Sequence, residues 1–153
     1  MNRIAPALIL AVLANLGCSK RQDPVGLAHW PAVIRVTEDM LTRGDTTPLI
    51  SHTDMSGMPS DSKQRLERVL RSWQAIPKPF KLDSVDIVDP KDFKYHEGMS
   101  ERMAKAFGTP KWSRPPEKMI VYRYSGPDGA SQRWYFGVFQ DHGKWYFSAC
   151  YPE

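Results

Sequence analysis

The most ordered pattern of apolar and polar positions lies late in the chain. Two aromatic runs, Trp134-Tyr135-Phe136-Gly137-Val138-Phe139 and Trp145-Tyr146-Phe147, flank the polar corner Asp141-His142-Gly143-Lys144. Strand formers on both sides of a glycine-containing turn predict a β-hairpin. Two strands are not stable in water alone, so this hairpin requires cover from other elements. Residues 118–124 predict a preceding strand and 125–131 a turn, which completes a three-strand meander. Upstream, Pro31 suits a first helical position, Val33, Val36, Met40 and Leu41 form one stripe, and Gly44 suits the helix stop. Residues 45–50 predict a short helical turn and 51–60 a loop. A second long helix is expected from Ser60 or Asp61 as cap, through Leu66, Val69, Leu70, Trp73 and Ile76, ended by Pro77 and Pro79. Residues 81–89 predict the strand that starts the sheet. Met99, Met103 and Phe107 predict a short helix ending at Gly108, and 111–116 an extended, proline-stiffened link. The stretch 91–116 reads as an insertion, either surface elaboration or the rim of a pocket. The fold class is therefore α+β: N-terminal helices packed on a curved antiparallel sheet that ends in a three-strand meander.

Alternation along strands assigns faces. With His142 and Gly143 as a two-residue turn, Asp141 pairs with Lys144, Val138 with Phe147, Phe136 with Ala149 and Trp134 with Tyr151. A five-residue turn after Ser125 puts Tyr122 opposite Trp134 and Ile120 opposite Phe136. The face carrying Ile120, Tyr122, Trp134, Phe136, Val138, Trp145, Phe147 and Ala149 is large and apolar, and it is expected to meet the helices. The other face carries Arg123, Arg133, Tyr135 and Tyr146, a candidate binding face. Arg123 and Arg133 oppose each other there, which is repulsive unless a negative group intervenes. They hold an anionic ligand or acidic partner, or they reach into water.

The chain's 153 residues suit one domain, and 13 prolines at segment junctions favour rigid loops over a helical bundle. A formal charge of +4 without a dense basic block excludes a nucleic-acid track. The helix expected after residue 60 has a basic side, Lys63, Arg65, Arg68 and Arg71, either solvated or facing acidic lipid headgroups.

Asn2 and Arg3 precede an apolar run over residues 4–14, followed by Leu16-Gly17-Cys18 and an abrupt polar change. Such a run is a secretory signal core, too short to span a bilayer as a stable helix. A cysteine after a small residue at its end resembles the lipobox of bacterial lipoproteins, although Asn15 stands where those usually have leucine. The resemblance implies cleavage before Cys18, with acylation of its thiol and amino group. An ordinary signal cut after Ala14 or Gly17 would instead leave Cys18 able to pair with Cys150. The expected organisation is a signal peptide over 1–17, a polar tether over 18–29 and a domain over 30–153. Ser19 does not match the inner-membrane retention rule of the lipoproteins, so the outer membrane, facing the periplasm, is the expected location.

Catalytic candidates are His52 with Asp54, His96 with Glu97, and His29. His52-Thr53-Asp54 equally suits an ordinary Asx-type turn, and His142 suits a turn tip. The scattered histidines lack metal-ligand spacing, Met55, Met58, Met99 and Met103 read as packing, and phosphate-loop and nucleophile-elbow motifs are absent. No catalytic set, metal site or cofactor is expected.

The order of elements, with Gly44-Asp45 after the first long helix and Gly143-Lys144-Trp145 in the final hairpin, resembles the nuclear transport factor 2-like (cystatin-like) superfamily. The likeness runs from Trp30 to Tyr151 apart from 91–116. It implies a cone-shaped α+β fold that serves enzymes, ligand binders and interaction modules alike. Two readings follow. One is an exported, lipid-anchored envelope protein acting as a non-catalytic binding module for an envelope protein, a small hydrophobic or anionic ligand, or a second copy as a homodimer. The other is a small enzyme with a cone-shaped pocket between sheet and helices.

Overall fold

The computed structural model describes residues 24–76, 81–126 and 128–151. The signal peptide, Cys18 and its possible pairing with Cys150, and the helix-ending Pro77 and Pro79 lie outside them. The described chain is mixed α+β with a mostly antiparallel sheet and four helices.

Helix α1, Trp30–Arg43, has Pro31 in its first turn and ends on Gly44, whose φ of 72° lets its N–H bond the Met40 carbonyl at 2.9 Å. Val33, Val36, Met40 and Leu41 are buried, as the stripe predicts. Helix α2, Thr47–Ser51, and the two-residue strand β1, Thr53–Asp54, follow. β1 lies in the stretch expected to be loop, and it pairs parallel with β6, Lys144–Ser148. Two residues are too few to show a period, so this strand is written only in its partner.

Helix α3 spans Ser60–Arg71, five residues short of the expected end at Ile76, and neither Ser60 nor Asp61 caps it. Pro59 occupies the cap position. At the C-terminus the Ser72 hydroxyl donates to the Val69 carbonyl at 2.8 Å, an alternative to continuing the helix. The chain then runs on so that the Ile76 N–H reaches the Leu41 carbonyl at 3.0 Å. Trp73 and Ile76 thus join the core from an irregular segment that sequence periodicity reads as helix.

Strand β2, Lys81–Val88, forms one edge of the sheet beside β4, Lys118–Ser125, with a bulge at Asp83. The sheet order is β1-β6-β5-β4-β2, where β5 is Ser131–Asp141. The meander β4-β5-β6 has the expected register: Tyr122 opposes Trp134, Ile120 opposes Phe136, and Val138 opposes Phe147. His142 and Gly143 both have positive φ, 48° and 75°, as a two-residue hairpin turn requires. The expected pairs Phe136–Ala149 and Trp134–Tyr151 do not form. β6 stops at Ser148, and β7, Cys150–Tyr151, pairs instead with β3, Lys111–Trp112. The Ala149 carbonyl accepts from the Ser113 N–H at 2.9 Å, so this strip of chain is drawn off the sheet by the 111–116 link. Helix α4, Glu101–Phe107, has Ser100 as its cap, and Gly108 follows with φ 62°.

The main core joins Val33, Val36, Met40 and Leu41 of α1 to Ile120, Tyr122, Val138 and Phe147 of the sheet. The Tyr122 hydroxyl is 2.5 Å from Thr37 Oγ1, which itself donates to the Ile34 carbonyl at 2.8 Å. Where the expected tether is described, it is laid against the domain: Leu27 and Trp145 exchange two backbone hydrogen bonds of 2.8 Å.

Candidate functional site

The second face of the sheet brings together three of the four candidate binding residues. Because β4 and β5 pair in the register above, Arg123 and Arg133 are direct neighbours, and Tyr135 lies two residues further along β5. The segment after β2 turns over them. Pro90 stops that strand, Phe93 is buried, and a turn at residues 94–98 closes on Gly98 with φ 79°. This presents Glu97 to both arginines. Its Oε2 lies 2.7 Å from Arg133 Nη1 and 3.2 Å from Arg123 Nη2.

Arg133 is the more enclosed of the pair, 13% exposed against 42% for Arg123. It also donates to the carbonyls of Lys94 at 2.9 Å and Tyr95 at 3.0 Å, and its guanidinium lies 5.2 Å from the centre of the Phe93 ring. Arg123 has a second, looser partner, Asp86, at 3.7 Å. The hydrogen bond and charge of Arg123, with Arg133 behind it, hold the Glu97 carboxyl below the usual carboxylate range. Burial pushes the Tyr135 hydroxyl up, as it packs on Phe93 at 4.9 Å between centroids. A hollow of about 370 Å³ lies beside the pair.

Tyr146 belongs to the other end of this face. It stacks on Phe139 at 5.5 Å, with the Arg114 guanidinium 4.5 Å from the Phe139 ring centre and 3.1 Å from Asp141. Gly137 separates the two ends. A Cβ there would stand 2.6 Å from the Trp112 ring, so the missing side chain is what lets Trp112 lie on the sheet. Trp112 Nε1 then donates to the Tyr95 hydroxyl at 3.1 Å. The insertion 91–116 is therefore the cover of the second face: Phe93, Tyr95 and Trp112 pack on Met119, Val121 and Tyr135. Sequence reasoning leaves out Glu97, Asp86 and Phe93 as parts of this site. The opposed arginines signalled that a carboxylate was needed, but not which one.

The catalytic candidates do not converge. The His52 ring bonds the Val25 carbonyl through Nδ1, whereas Asp54 Oδ1 accepts from the Ser56 N–H at 2.8 Å, an Asx turn. Glu97 is engaged with the arginines rather than His96, whose Nδ1 is enclosed without a hydrogen-bond partner among the described residues. His29 is exposed at the start of α1, and His142 at the hairpin tip lies 3.0 Å from Asp141. Among the described residues, no three His, Cys, Asp or Glu side chains are grouped to hold a metal ion.

On the helix side, aromatic pairs occupy the space between sheet and helices. Trp73 meets Trp134 edge to face at 4.2 Å, and Trp145 meets Trp30 at 4.9 Å. At the rim an open cleft of about 510 Å³ is lined by Trp73, Ile76, Tyr124, Asp128, Gln132 and Trp134, among others. There Trp134 Nε1 donates to the Tyr124 hydroxyl, and Tyr124 to Gln132 Oε1, each at 3.0 Å.

Comparison of the chain with protein-family models, curated proteins and solved structures gives no match. Among the described residues no helix is long and apolar enough to cross a membrane.

Proposed function

We propose that the chain is an exported, lipid-anchored envelope protein whose domain is a non-catalytic interaction module. In this reading residues 1–17 are its signal peptide, Cys18 carries the lipid, and the outer membrane holds the protein facing the periplasm. The domain is a nuclear transport factor 2-like cone, with its N-terminal helices packed on a curved sheet.

One observation carries the non-catalytic part. The candidate acid–base residues stand apart: His52 bonds the Val25 carbonyl, Asp54 sits in an Asx turn, and Glu97 is held by the arginines. The second face supports it as well. A small anionic ligand at Arg123 and Arg133 would have to displace Glu97, so a protein partner or second copy that reads the assembled face, including Asp86 and Glu97, is favoured. The alternative, a small enzyme, would use the open cleft of about 510 Å³ beside Trp73 and Trp134, whose described lining includes no histidine.

Metabolic labelling with palmitate tests the anchor. Label is expected in the wild-type chain and absent from Cys18→Ser; equal labelling of the two would refute lipidation at Cys18.

A further inference from the structure

We infer that the outer side of α3 docks the domain on an anionic lipid surface. The inference rests on the envelope-anchored reading for where the domain sits, but the domain makes the contact itself.

Arg65, Arg68 and Arg71 recur every three residues and so lie in one stripe along the helix. All three are exposed, and among the described residues none is in an ion pair. Asp61 shares the exposed side at the first turn, and Glu67 is turned to the half-buried side. Beside the stripe Val69, an apolar side chain, is 58% exposed. No residue of α3 is fully buried. The helix lies shallowly on the molecule, fastened by Leu70 and the following Trp73 to the main core. An amphipathic helix with a basic outer side and an apolar group at its margin suits the headgroup region of a bilayer.

Position strengthens the assignment. The Val25 N–H is bonded to the carbonyl of Ser51, the last residue of α2, and α2 packs on α3. The chain therefore enters the domain at the sheet edge beside α2, the helix on which α3 packs. Residues 18–23 span about 20 Å at full extension, so an anchor at Cys18 holds that edge close to the lipid. The carboxylates of Asp86 and Glu97 project from the opposite face of the sheet, away from lipid phosphate. Guanidinium groups bind phosphate oxygens with paired donors, and each basic residue at an anionic surface strengthens binding about fivefold.

The test uses the full chain reconstituted in vesicles that carry a photoreactive phosphatidylglycerol or a photoreactive phosphatidylcholine. Crosslinks are then mapped by mass spectrometry. Crosslinking within residues 60–71 is expected with phosphatidylglycerol, far above phosphatidylcholine. It should fall by roughly 100-fold in R65Q/R68Q/R71Q and persist in R65K/R68K/R71K. Equal crosslinking from both lipids, or an undiminished signal in the glutamine variant, overturns the docking even if palmitate labelling holds. If labelling fails but the crosslinks keep this lipid preference, the anchor is refuted and the docking stands. Circular dichroism of each variant confirms an intact fold.

Discussion

Arg123 and Arg133 stand directly opposite each other on adjacent strands, and both guanidinium groups bond one oxygen, Oε2 of Glu97. Two like charges in that position repel. The carboxylate converts the repulsion into a clamp that pulls the 91–98 turn onto the sheet. All three groups retain contact with water, so the energy is small, and the consequence is chiefly the position of that turn.

Glu97→Gln should loosen the turn. Faster amide exchange over residues 91–98 and a small drop in urea midpoint are expected, with the α1 amides unchanged. The pH dependence has a definite sign. Glu97 titrates lower in the folded protein than in the unfolded chain. Its stabilisation is thus present above the ordinary glutamate range and is lost as pH falls through the folded value. In Glu97→Gln that acid limb should be shallower; an unchanged limb would assign it to other carboxylates.

Gly137→Ala should destabilise by about 1–3 kcal/mol, because the new methyl overlaps the Trp112 ring. Urea unfolding of Gly137→Ala, Trp112→Leu and the double variant checks the cause. The double variant should be more stable than the two separate losses predict. Simple additivity would show that the clash is not with Trp112.

Tyr122→Phe should cost about 1 kcal/mol, the net value of a hydrogen bond inside the core. Thr37 keeps its bond to the Ile34 carbonyl in the variant. Burial pushes the Tyr122 hydroxyl up to about 12, with the Thr37 hydrogen bond opposing. Folding is therefore fully supported by this group below about pH 10, and the support is lost as pH rises through about 12. Alkaline denaturation followed by circular dichroism should begin later in Tyr122→Phe over that window.

Cys150 should alkylate slowly with iodoacetamide in the native protein at neutral pH and quickly in urea. Burial pushes its thiol up to about 11, and the thiolate is the reactive form. Rapid native labelling at neutral pH would refute this.

Much of the architecture was legible because it is local. The stripe of Val33, Val36, Met40 and Leu41 predicts the buried side of α1, and Gly44 its end, since helix period and capping act within a few residues. The register of Tyr122 on Trp134 followed from turn lengths and strand alternation alone. The hairpin pairs around His142 and Gly143 followed in the same way. The same periodicity carried the reading of α3 through to Ile76, because apolar spacing marks which side chains are buried and not whether the backbone between them stays helical.

Sequence by itself thus determined the places of the helices, the strand β2, the meander and the opposition of Arg123 to Arg133. Tertiary structure decided which segment lies on which face. Glu97 reaches Arg133 across 36 residues, and Thr53 finds Phe147 in a parallel pair that no local pattern announces. Trp112 settles on Gly137, and Cys150 leaves the hairpin for β3. These contacts depend on chain closure over long loops, where many carboxylates and aromatic rings are chemically equivalent until packing selects among them.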